Sequence, residues 1–343
     1  MKPAPSVFAV EDTSAQISWR GGVADVSGLS PGTTTRIRID EIDQEIDVTT
    51  LPTPPGRELS RIATINDVHI GQLRFGIFGS MHEPAAEVPH AVRCLRSALR
   101  DALAWGAQLL VVKGDITEKS RPVEWEQVGA VLGHSPVPIA VVPGNHEVKR
   151  SRPTDAQPAL ARQGLHLVHG VEVIDMPGLR VLLVDTTITE EHHGRIAHVQ
   201  DVIMRRAARA PGTVLVAMHH NLQRFRWPTY WPPGIPGPES HAFLRALRAA
   251  NPRSLVSTGH THRHRRHDWG GVTWTEVGST KDFPGTWTGY VAHEGGIRQV
   301  VRRVSDPSVL PWLDETRKGY LRLWGHYSPG RLADRCFTVT WPS

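Results

Sequence analysis

The stretch IATINDVH, residues 62–69, joins a short apolar run to two polar side chains, and this arrangement recurs along the chain. Each run is about as long as a buried β-strand. The runs lie at 62–65, 109–112, 139–142, 181–184, 214–217 and 255–256. Segments with helical periodicity separate them, at 92–105, 123–132, 198–209 and 241–250. Strands that alternate with helices predict an α/β layered domain.

Side chains that can bind metals follow five of these runs, at the point where each predicted strand ends. They form the blocks Asp67-x-His69, Gly114-Asp115, Gly144-Asn145-His146-Glu147, His219-His220 and Gly259-His260-Thr261-His262. The carboxyl ends of parallel strands line one crevice of an open sheet, so we expect the blocks to converge in space. Alternate residues of an extended segment face the same side, which accounts for the one-residue gaps in the first and last blocks. The spacing therefore predicts a metal centre.

The composition argues against several other classes of protein. Among 343 residues there are two cysteines, Cys94 and Cys336, which leaves neither a disulfide framework nor a cysteine zinc site. No apolar run approaches the roughly 18 residues that span a bilayer, and the N-terminus has no apolar leader, so we expect a cytoplasmic protein without membrane association. The net charge of +5 suits anionic substrates. The sequence has no dense basic tract, so nucleic acid is not an expected partner.

In this order, the five blocks resemble the calcineurin-like metallophosphoesterase superfamily, whose pattern is D-x-H, G-D, G-N-H-E, a later strand-end histidine and G-H-x-H. The resemblance extends over roughly residues 62–300. It implies a four-layer α/β/β/α sandwich, in which helices flank two sheets. It also implies a two-metal site that hydrolyses phosphate esters with activated water.

The resemblance further implies a role for each side chain of the blocks. Asp67, His69 and His262 would hold one metal, Asn145, His219 and His260 would hold the second, and the catalytic Asp115 would bridge both. Mixed imidazole and carboxylate ligands suit divalent Mn, Fe or Zn. Two such ions about 3.5–4 Å apart can deprotonate water near neutral pH and clamp phosphate oxygens. The expected cofactor is a pair of divalent ions, and the expected partner is a small phosphate ester.

Two histidine positions leave alternatives open. His146 directly follows a predicted ligand, so its ring should point elsewhere, and the resemblance makes it the candidate general acid. The alternative is a histidine that only orients a neighbouring ligand. In the pair His219-His220, either ring could face the cleft. His219 is preferred because it directly follows Met218, as in family members with one histidine there. His220 would then either support a ligand from behind or contact substrate.

Two loops at the predicted rim of the cleft carry further candidate substrate contacts, namely His82 in loop 75–89 and Arg224 in loop 221–238. The second loop also carries the aromatic residues Trp227, Tyr230 and Trp231. These rings could stack on a nucleobase. The alternative is a proline-stiffened loop that packs on itself or forms the contact of a homo-oligomer.

The chain divides into four predicted parts. Residues 1–51 alternate apolar and polar side chains, which predicts a small all-β unit, and a proline-rich linker follows at 52–56. A phosphoesterase domain is expected at 57–304, and a C-terminal extension at 305–343 is expected to pack on it. Pieces of the first part, such as Ser18-Trp19-Arg20, resemble a shortened fibronectin type III domain.

Purple acid phosphatases also carry a fibronectin-like domain, but they have a tyrosine ligand three residues after the aspartate of the G-D block. This chain has Glu118 there. An iron–tyrosinate centre is therefore not expected. The first block, with a histidine at position 69, resembles instead that of the branch that contains cyclic-nucleotide and glycerophosphodiester phosphodiesterases.

The sequence thus predicts a binuclear metal-dependent phosphodiesterase that acts on a small organic or nucleotide substrate. The alternatives are a phosphomonoesterase or nuclease of the same superfamily, or a scaffold protein that keeps the fold without turnover. Seven intact ligand positions argue against the scaffold, which has no chemical need for them.

Overall fold

The computed structural model describes residues 4–148, 156–227 and 231–341, so the loop residue Tyr230 lies outside the described part of the chain. The strands there are β1 (Ser6–Val10), β2 (Ser14–Trp19), β3 (Gly22–Ser27), β4 (Thr34–Ile39), β5 (Gln44–Thr49), β6 (Glu58–Asn66), β7 (Arg74–Phe75), β8 (Met81–His82), β9 (Leu109–Lys113), β10 (Ile139–Val142), β11 (Val171–Met176), β12 (Leu179–Val184), β13 (Thr213–Met218), β14 (Ser254–Thr258), β15 (Arg265–Trp269), β16 (Val272–Glu276), β17 (Thr286–His293), β18 (Gly296–Arg303) and β19 (Phe337–Thr340). The helices are α1 (His90–Ala104), α2 (Pro122–Leu132), α3 (Asn145–Val148), α4 (Ala156–Ala161), α5 (Gln200–Ala208), α6 (Gly237–Ala250), α7 (Leu310–Thr316), α8 (Trp324–Tyr327) and α9 (Leu332–Arg335).

Two six-stranded sheets lie at the centre, with strand orders β10-β9-β6-β17-β18-β19 and β11-β12-β13-β14-β16-β15. In the first sheet β6, β9 and β10 run parallel. In the second sheet β12, β13, β14 and β16 do so. The sheets face each other across one apolar cluster, in which Ile62 and Val111 of the first sheet join Leu215 and Leu255 of the second. Both faces of these strands are covered, which explains their nearly continuous apolar sequences.

Helices cover the two outer faces. On α1, residues Ala91, Leu95, Ala98 and Ala102 recur every three or four positions and are all buried, because they form one apolar stripe against the first sheet. Helices α5 and α6 cover the second sheet in the same way. The layer order is α/β/β/α, as predicted, and each predicted apolar run lies within a strand. Within the described ranges, no helix combines the length and apolarity needed to cross a membrane.

The N-terminal β region consists of the three-stranded sheet β1-β2-β3 and the hairpin β4-β5. Its apolar side chains Phe8, Val10 and Ile17 share one cluster with Val300 and Val301 of β18. The C-terminal residues also join the core, since β19 forms an edge of the first sheet and α7 packs beside α1. The first and last segments of the described chain therefore both pack against the same sheet.

Buried ion pairs tie the N-terminal region to β18. Arg302 contacts Glu11 from a site where the two side chains are only 7% and 8% exposed. Its other guanidinium nitrogen lies 3.0 Å from Asp25 Oδ1, and Arg298 Nη1 lies 2.7 Å from Asp12 Oδ1. A buried pair is costly to form, but removing one partner leaves the other charge unpaired in a region of low dielectric constant.

Arg302→Met is therefore expected to lower the free energy of unfolding by about 3–5 kcal/mol, because Glu11 stays buried without its cation. Urea unfolding followed by tryptophan fluorescence measures this. The matched control is Arg36→Met, since Arg36 and Glu45 form a pair whose side chains are 68% and 46% exposed. That change should cost less than about 1 kcal/mol. Equal losses in the two variants would contradict the role assigned to Arg302.

Candidate metal centre

The five sequence blocks converge at the carboxyl ends of β6, β9, β10, β13 and β14, where the two sheets meet the solvent edge. Backbone pairing continues beyond the strands, since His69 N donates to Asp115 O at 2.8 Å and Asp67 N donates to Gly114 O at 3.1 Å. Gly259 N donates to His219 O at 2.8 Å in the same way across the second sheet. These bonds hold neighbouring blocks in register, so their side chains face a common centre.

Left-handed backbone conformations mark this centre. Five of the predicted ligands have φ between +48° and +72°, a region that few residues other than glycine adopt: Asp67, His69, Asp115, His260 and His262. Each such residue costs of order 1–3 kcal/mol and persists only where the surrounding structure enforces it. The strain is concentrated where the predicted chemistry lies, which is typical of a functional site.

Two glycines of the blocks are required by close approach. Gly114 has φ +72°, and a Cβ there would lie 1.8 Å from His219 Nδ1. A Cβ on Gly144 would lie 2.3 Å from the backbone nitrogen of Asp115. The glycines of the G-D and G-N-H blocks thus leave room for the side chains around them.

One cluster of donor atoms contains His69, His262, Asp67 and Asp115. His69 Nε2 lies 3.2 Å from His262 Nε2 and 3.8 Å from Asp115 Oδ2. His262 Nε2 lies 3.6 Å from Asp67 Oδ1. Asp67, His69 and Asp115 are almost completely buried.

A second cluster surrounds His219 Nε2. That nitrogen lies 2.9 Å from His260 Nδ1, 3.2 Å from Asn145 Oδ1 and 3.3 Å from Asp115 Oδ2. Asp115 belongs to both clusters, and its bridging role stays a prediction. All four side chains are buried.

The donor set fits a pair of divalent cations. Metal bonds to imidazole nitrogen and carboxylate oxygen are about 2.0–2.2 Å long, so two ligands of one ion lie about 3.0–3.5 Å apart. The observed separations of 2.9 to 3.3 Å around His219 Nε2 match this spacing. Two buried imidazole nitrogens at such a distance can share at most one proton, so a cation between them relieves the repulsion of their lone pairs.

The two neighbouring histidines differ in their contacts, although both belong to a group with His260 that could hold a metal ion. His219 contacts Asn145 and Asp115, whereas His220 Nδ1 lies 2.8 Å from the Thr186 hydroxyl and its Nε2 is buried without a hydrogen-bond partner among the described residues. His220 nevertheless lies close to His260, with ring centroids 4.8 Å apart. The geometry favours His219 as the ligand, and the assignment stays a prediction.

Burial and neighbouring charges set the protonation of these groups. Burial lowers the pKa of His69 to about 4 and holds that of His260 well below its usual value. Burial would raise the pKa of Asp115, but the imidazoles of His219 and His146 outweigh it and hold that pKa well below the usual range. Neutral imidazoles beside an ionised carboxylate are the forms that bind metals. His262 differs, because Asp282 and Asp67 overcome the effect of burial and raise its pKa to about 9, so it must lose a proton before it can bind a metal.

Three carboxylates outside the predicted ligand set orient the centre. Glu118 Oε2 lies 3.1 Å from His69 Nδ1, and Asp282 Oδ2 lies 2.8 Å from His262 Nδ1. Glu147 accepts four hydrogen bonds, from the backbone nitrogens of 116, 117 and 144 and from the Thr117 hydroxyl. A carboxylate on one ring nitrogen fixes the direction of the other. Nothing in their sequence positions predicted this role, although Glu118 and Glu147 lie within three residues of predicted ligands.

His146 lies beside the donor clusters with its ring held by the backbone. Its Nδ1 donates to the Glu118 carbonyl at 2.9 Å, and its own backbone nitrogen donates to Asp115 Oδ1 at 2.9 Å. Burial disfavours the charged ring, but Asp115 and Glu118 outweigh this and raise the pKa of His146. Because Nδ1 is engaged, Nε2 is the nitrogen that His146 offers to the adjoining cavity.

A cavity of about 540 Å³ opens directly from the donor clusters. Its lining residues are His69, Asp115, Asn145, His146, His192, Trp231, Pro232, His260, Thr261, His262, Tyr320, Leu323, Trp324 and Tyr327. His82 and Arg224, two of the predicted substrate contacts, are exposed and are absent from this lining, and the third, His220, is fully buried. Trp231 lines the cavity, whereas Trp227 does not.

The C-terminal extension supplies the aromatic side of this cavity, a role that its sequence did not predict. Trp324 and Tyr327 lie on α8, whereas Tyr320 precedes this helix in a left-handed backbone conformation. The spacing of the three rings therefore follows no helical periodicity, and nothing in the sequence related them to blocks more than fifty residues away.

Comparison with known proteins agrees with this geometry. The model of the family described as calcineurin-like phosphoesterase matches residues 60–264, more than half of the chain. The chain therefore belongs to the calcineurin-like phosphoesterase family, and it is a metal-dependent phosphoester hydrolase. Membership of this family and the donor clusters together support a cofactor of two divalent metal ions.

Two curated relatives are distant in sequence. A protein of Psychrobacter arcticus named probable cyclic nucleotide phosphodiesterase is 23% identical over 240 residues, which cover 68% of this chain and 84% of that protein. A protein of the same name from Psychrobacter sp. is 22% identical over 192 residues, which cover 54% of this chain and 55% of that protein.

Two solved structures share the fold. A dimetal phosphatase from Danio rerio superposes with a TM-score of 0.54 at 15% identity, covering 73% of this chain and 98% of that one. A purple acid phosphatase from yellow lupin superposes with a TM-score of 0.50 at 13% identity, covering 99% of this chain and 78% of that one. At these identities the likeness concerns the fold.

Asp115→Asn is expected to reduce the metal content from about two ions per chain to less than one, because Asp115 belongs to both donor clusters and the amide loses the negative charge between them. Elemental analysis of the purified protein measures this. Asp268→Asn is the control, since the Asp268 side chain is 59% exposed and pairs with Arg266 on β15. Retention of both metals by Asp115→Asn would overturn the bridging role.

Proposed function

We propose that this chain hydrolyses phosphodiesters of small organic molecules or nucleotides, with Asp67, His69, Asp115, Asn145, His219, His260 and His262 holding two divalent ions. The observation that carries the proposal is the convergence of these side chains into two donor clusters that share Asp115. The mixed nitrogen and oxygen donors favour Mn, Fe or Zn. When bound, such a pair supplies an activated water and positive charge for the phosphate oxygens.

The residues of the chain then hold the substrate and move a proton. His146 is proposed as the general acid, because its ring is fixed by the Glu118 carbonyl through Nδ1 and its Nε2 is left for the cavity. A donor at that position can protonate the departing oxygen. Glu118 and Asp282 are proposed to keep the rings of His69 and His262 aimed at the centre through their Nδ1 atoms.

Three points support diesters over monoesters. Both curated relatives are named as probable cyclic nucleotide phosphodiesterases, whose substrates are diesters. The cavity of about 540 Å³ also extends beyond the donor clusters to aromatic side chains, which supports a substrate that carries a second substituent. No arginine or lysine lines the described part of the cavity, whereas the additional charge of a monoester would favour one.

The proposal includes a domain arrangement. Residues 1–51 would be a shortened fibronectin type III-like unit, 52–56 a linker, 57–304 the phosphoesterase domain and 305–343 an extension. The β1-β2-β3 sheet, the β4-β5 hairpin and the absence of strands or helices within 52–56 support it.

The diester preference is tested with bis-p-nitrophenyl phosphate and p-nitrophenyl phosphate, which release the same leaving group. With Mn²⁺ added, we expect a higher kcat/KM for the diester, since the cavity accommodates a second substituent. A higher kcat/KM for the monoester across Mn²⁺, Fe²⁺ and Zn²⁺ would reverse the preference while leaving the hydrolase class intact.

His146→Ala should lower kcat by roughly 10²–10⁴ while both metals are retained, as expected for loss of a proton donor. Elemental analysis and steady-state kinetics on the same preparation separate the two effects. His166→Ala serves as control, since His166 is an exposed histidine that pairs with Glu172. If His146→Ala instead loses metal, the residue acts as a ligand or supports one.

A further inference from the structure

The cavity beside the donor clusters has two chemically different sides. Imidazole, carboxylate and amide groups form the side next to the clusters, and Tyr320, Leu323, Trp324 and Tyr327 form the other. These four residues, here named the aromatic wall, lie beyond residue 264, where the match to the family model ends. The wall is therefore a feature of this chain that the family match leaves without a role.

The rings of the wall are neighbours with similar orientations. Trp324 lies 5.1 Å from Tyr320 and 5.4 Å from Tyr327 between ring centroids, with interplanar angles of 32° and 35°. The wall begins close to the metal centre, since the centroids of Trp324 and His262 are 6.2 Å apart. A group bound against these rings therefore lies within the reach of one small molecule from the donor clusters.

The rings are held from behind. Phe75, which is buried, meets Tyr320 and Trp324 edge-on with centroids 5.6 and 5.3 Å away. Trp324 Nε1 donates to Asp282 Oδ1 at 3.3 Å and to the Phe283 carbonyl at 3.1 Å. A Cβ at Gly319 would lie 2.5 Å from the Phe75 ring, so the segment packs tightly on it. Rings that are fixed in advance lose little conformational entropy on binding a flat ligand.

The backbone that carries the wall is strained. Tyr320, Leu321 and Arg322 have consecutive φ values of +52°, +58° and +69°. Such conformations cost energy and cluster at ligand-binding sites. Tyr320, at the start of this segment, is 41% exposed and lines the cavity.

A second aromatic surface lies on loop 221–238. Trp231 lines the same cavity, is 71% exposed and contacts His192 with centroids 5.4 Å apart. An exposed indole beside a preformed cavity is available to cover a ligand.

We propose that the aromatic wall and Trp231 bind a planar aromatic group of the substrate, of the type of a nucleotide base, while the phosphate lies at the donor clusters. The inference rests on the proposed function and names the class of ester within it. Stacking accepts any flat π system, so it selects aromatic over aliphatic substituents and distinguishes bases only weakly.

Isothermal titration calorimetry of the Mn²⁺-loaded protein tests this with three phosphate monoesters as probes, namely AMP, ribose 5-phosphate and octyl phosphate. AMP should bind about 5- to 150-fold more tightly than ribose 5-phosphate, the range expected when one base stacks on aromatic side chains. Octyl phosphate should bind more weakly than AMP. Equal affinities for AMP and ribose 5-phosphate, or tighter binding of octyl phosphate, would overturn the proposal.

Variants locate the effect. Tyr320→Leu keeps an apolar side chain but removes the ring, so it should lower the AMP to ribose 5-phosphate affinity ratio by about fivefold or more. Tyr320→Phe keeps the ring and should keep the ratio. Trp231→Ala should lower the ratio as well, and its exposed position makes it a second test should Tyr320→Leu fail to fold. Trp227→Ala is the matched control, because Trp227 is a 74% exposed tryptophan of the same loop outside the cavity.

The ratio is insensitive to metal content, because both probes carry the same phosphate. Unchanged ratios in both Tyr320→Leu and Trp231→Ala would overturn the proposal even if AMP binds tightly. The experiment also separates this inference from the proposed function. Absence of hydrolysis of any ester would end the proposed function while leaving the binding ratio measurable, whereas hydrolysis with equal ratios would end only the inference.

Discussion

The crowding of ligand atoms in a dry site is the constraint on which this structure depends. His219 Nε2 has three other potential ligand atoms within 3.3 Å, from Asn145, His260 and Asp115. All four side chains are buried. Lone pairs held so close repel one another unless cations lie between them. Only rigid supports can hold such a group in place, and parallel strands covered on both faces provide them. The left-handed turns at the strand ends then direct the side chains to a common point.

A second set of side chains fixes the directions of the first. Glu118 and Asp282 each hold one ring nitrogen of a predicted ligand, so the opposite nitrogen faces the centre. Glu147 instead holds backbone: its four hydrogen bonds join the turn after β9 to the turn after β10, and the position of Asp115 follows from them. The glutamate at 118, where purple acid phosphatases have a tyrosine, is thus used to orient His69.

Local patterns made the fold and the donor blocks predictable, because buried strands, their ends and their glycines are all short-range signals. The lining of the cavity beyond the donor clusters was not predictable by the same reasoning. His82 and Arg224 are near donor blocks in sequence, but the β7-β8 hairpin and the start of loop 221–238 leave both side chains exposed outside the cavity. Asp282 reaches the site through its bond to His262, and the aromatic wall reaches it through long-range contacts with Phe75 and Phe283, which no spacing rule reports.

The Asp282 carboxylate connects the donor clusters with the aromatic wall. Asp282 holds His262 through Oδ2 and Trp324 through Oδ1. One side chain therefore contacts both a predicted metal ligand and the aromatic wall, although the two regions are far apart in sequence. Under the role proposed for the aromatic wall, changes at Tyr320 or Leu323 alter which ester binds without touching a donor atom. A change at Trp324 is different in kind, because it frees one oxygen of Asp282 and so loosens the ring of His262 as well.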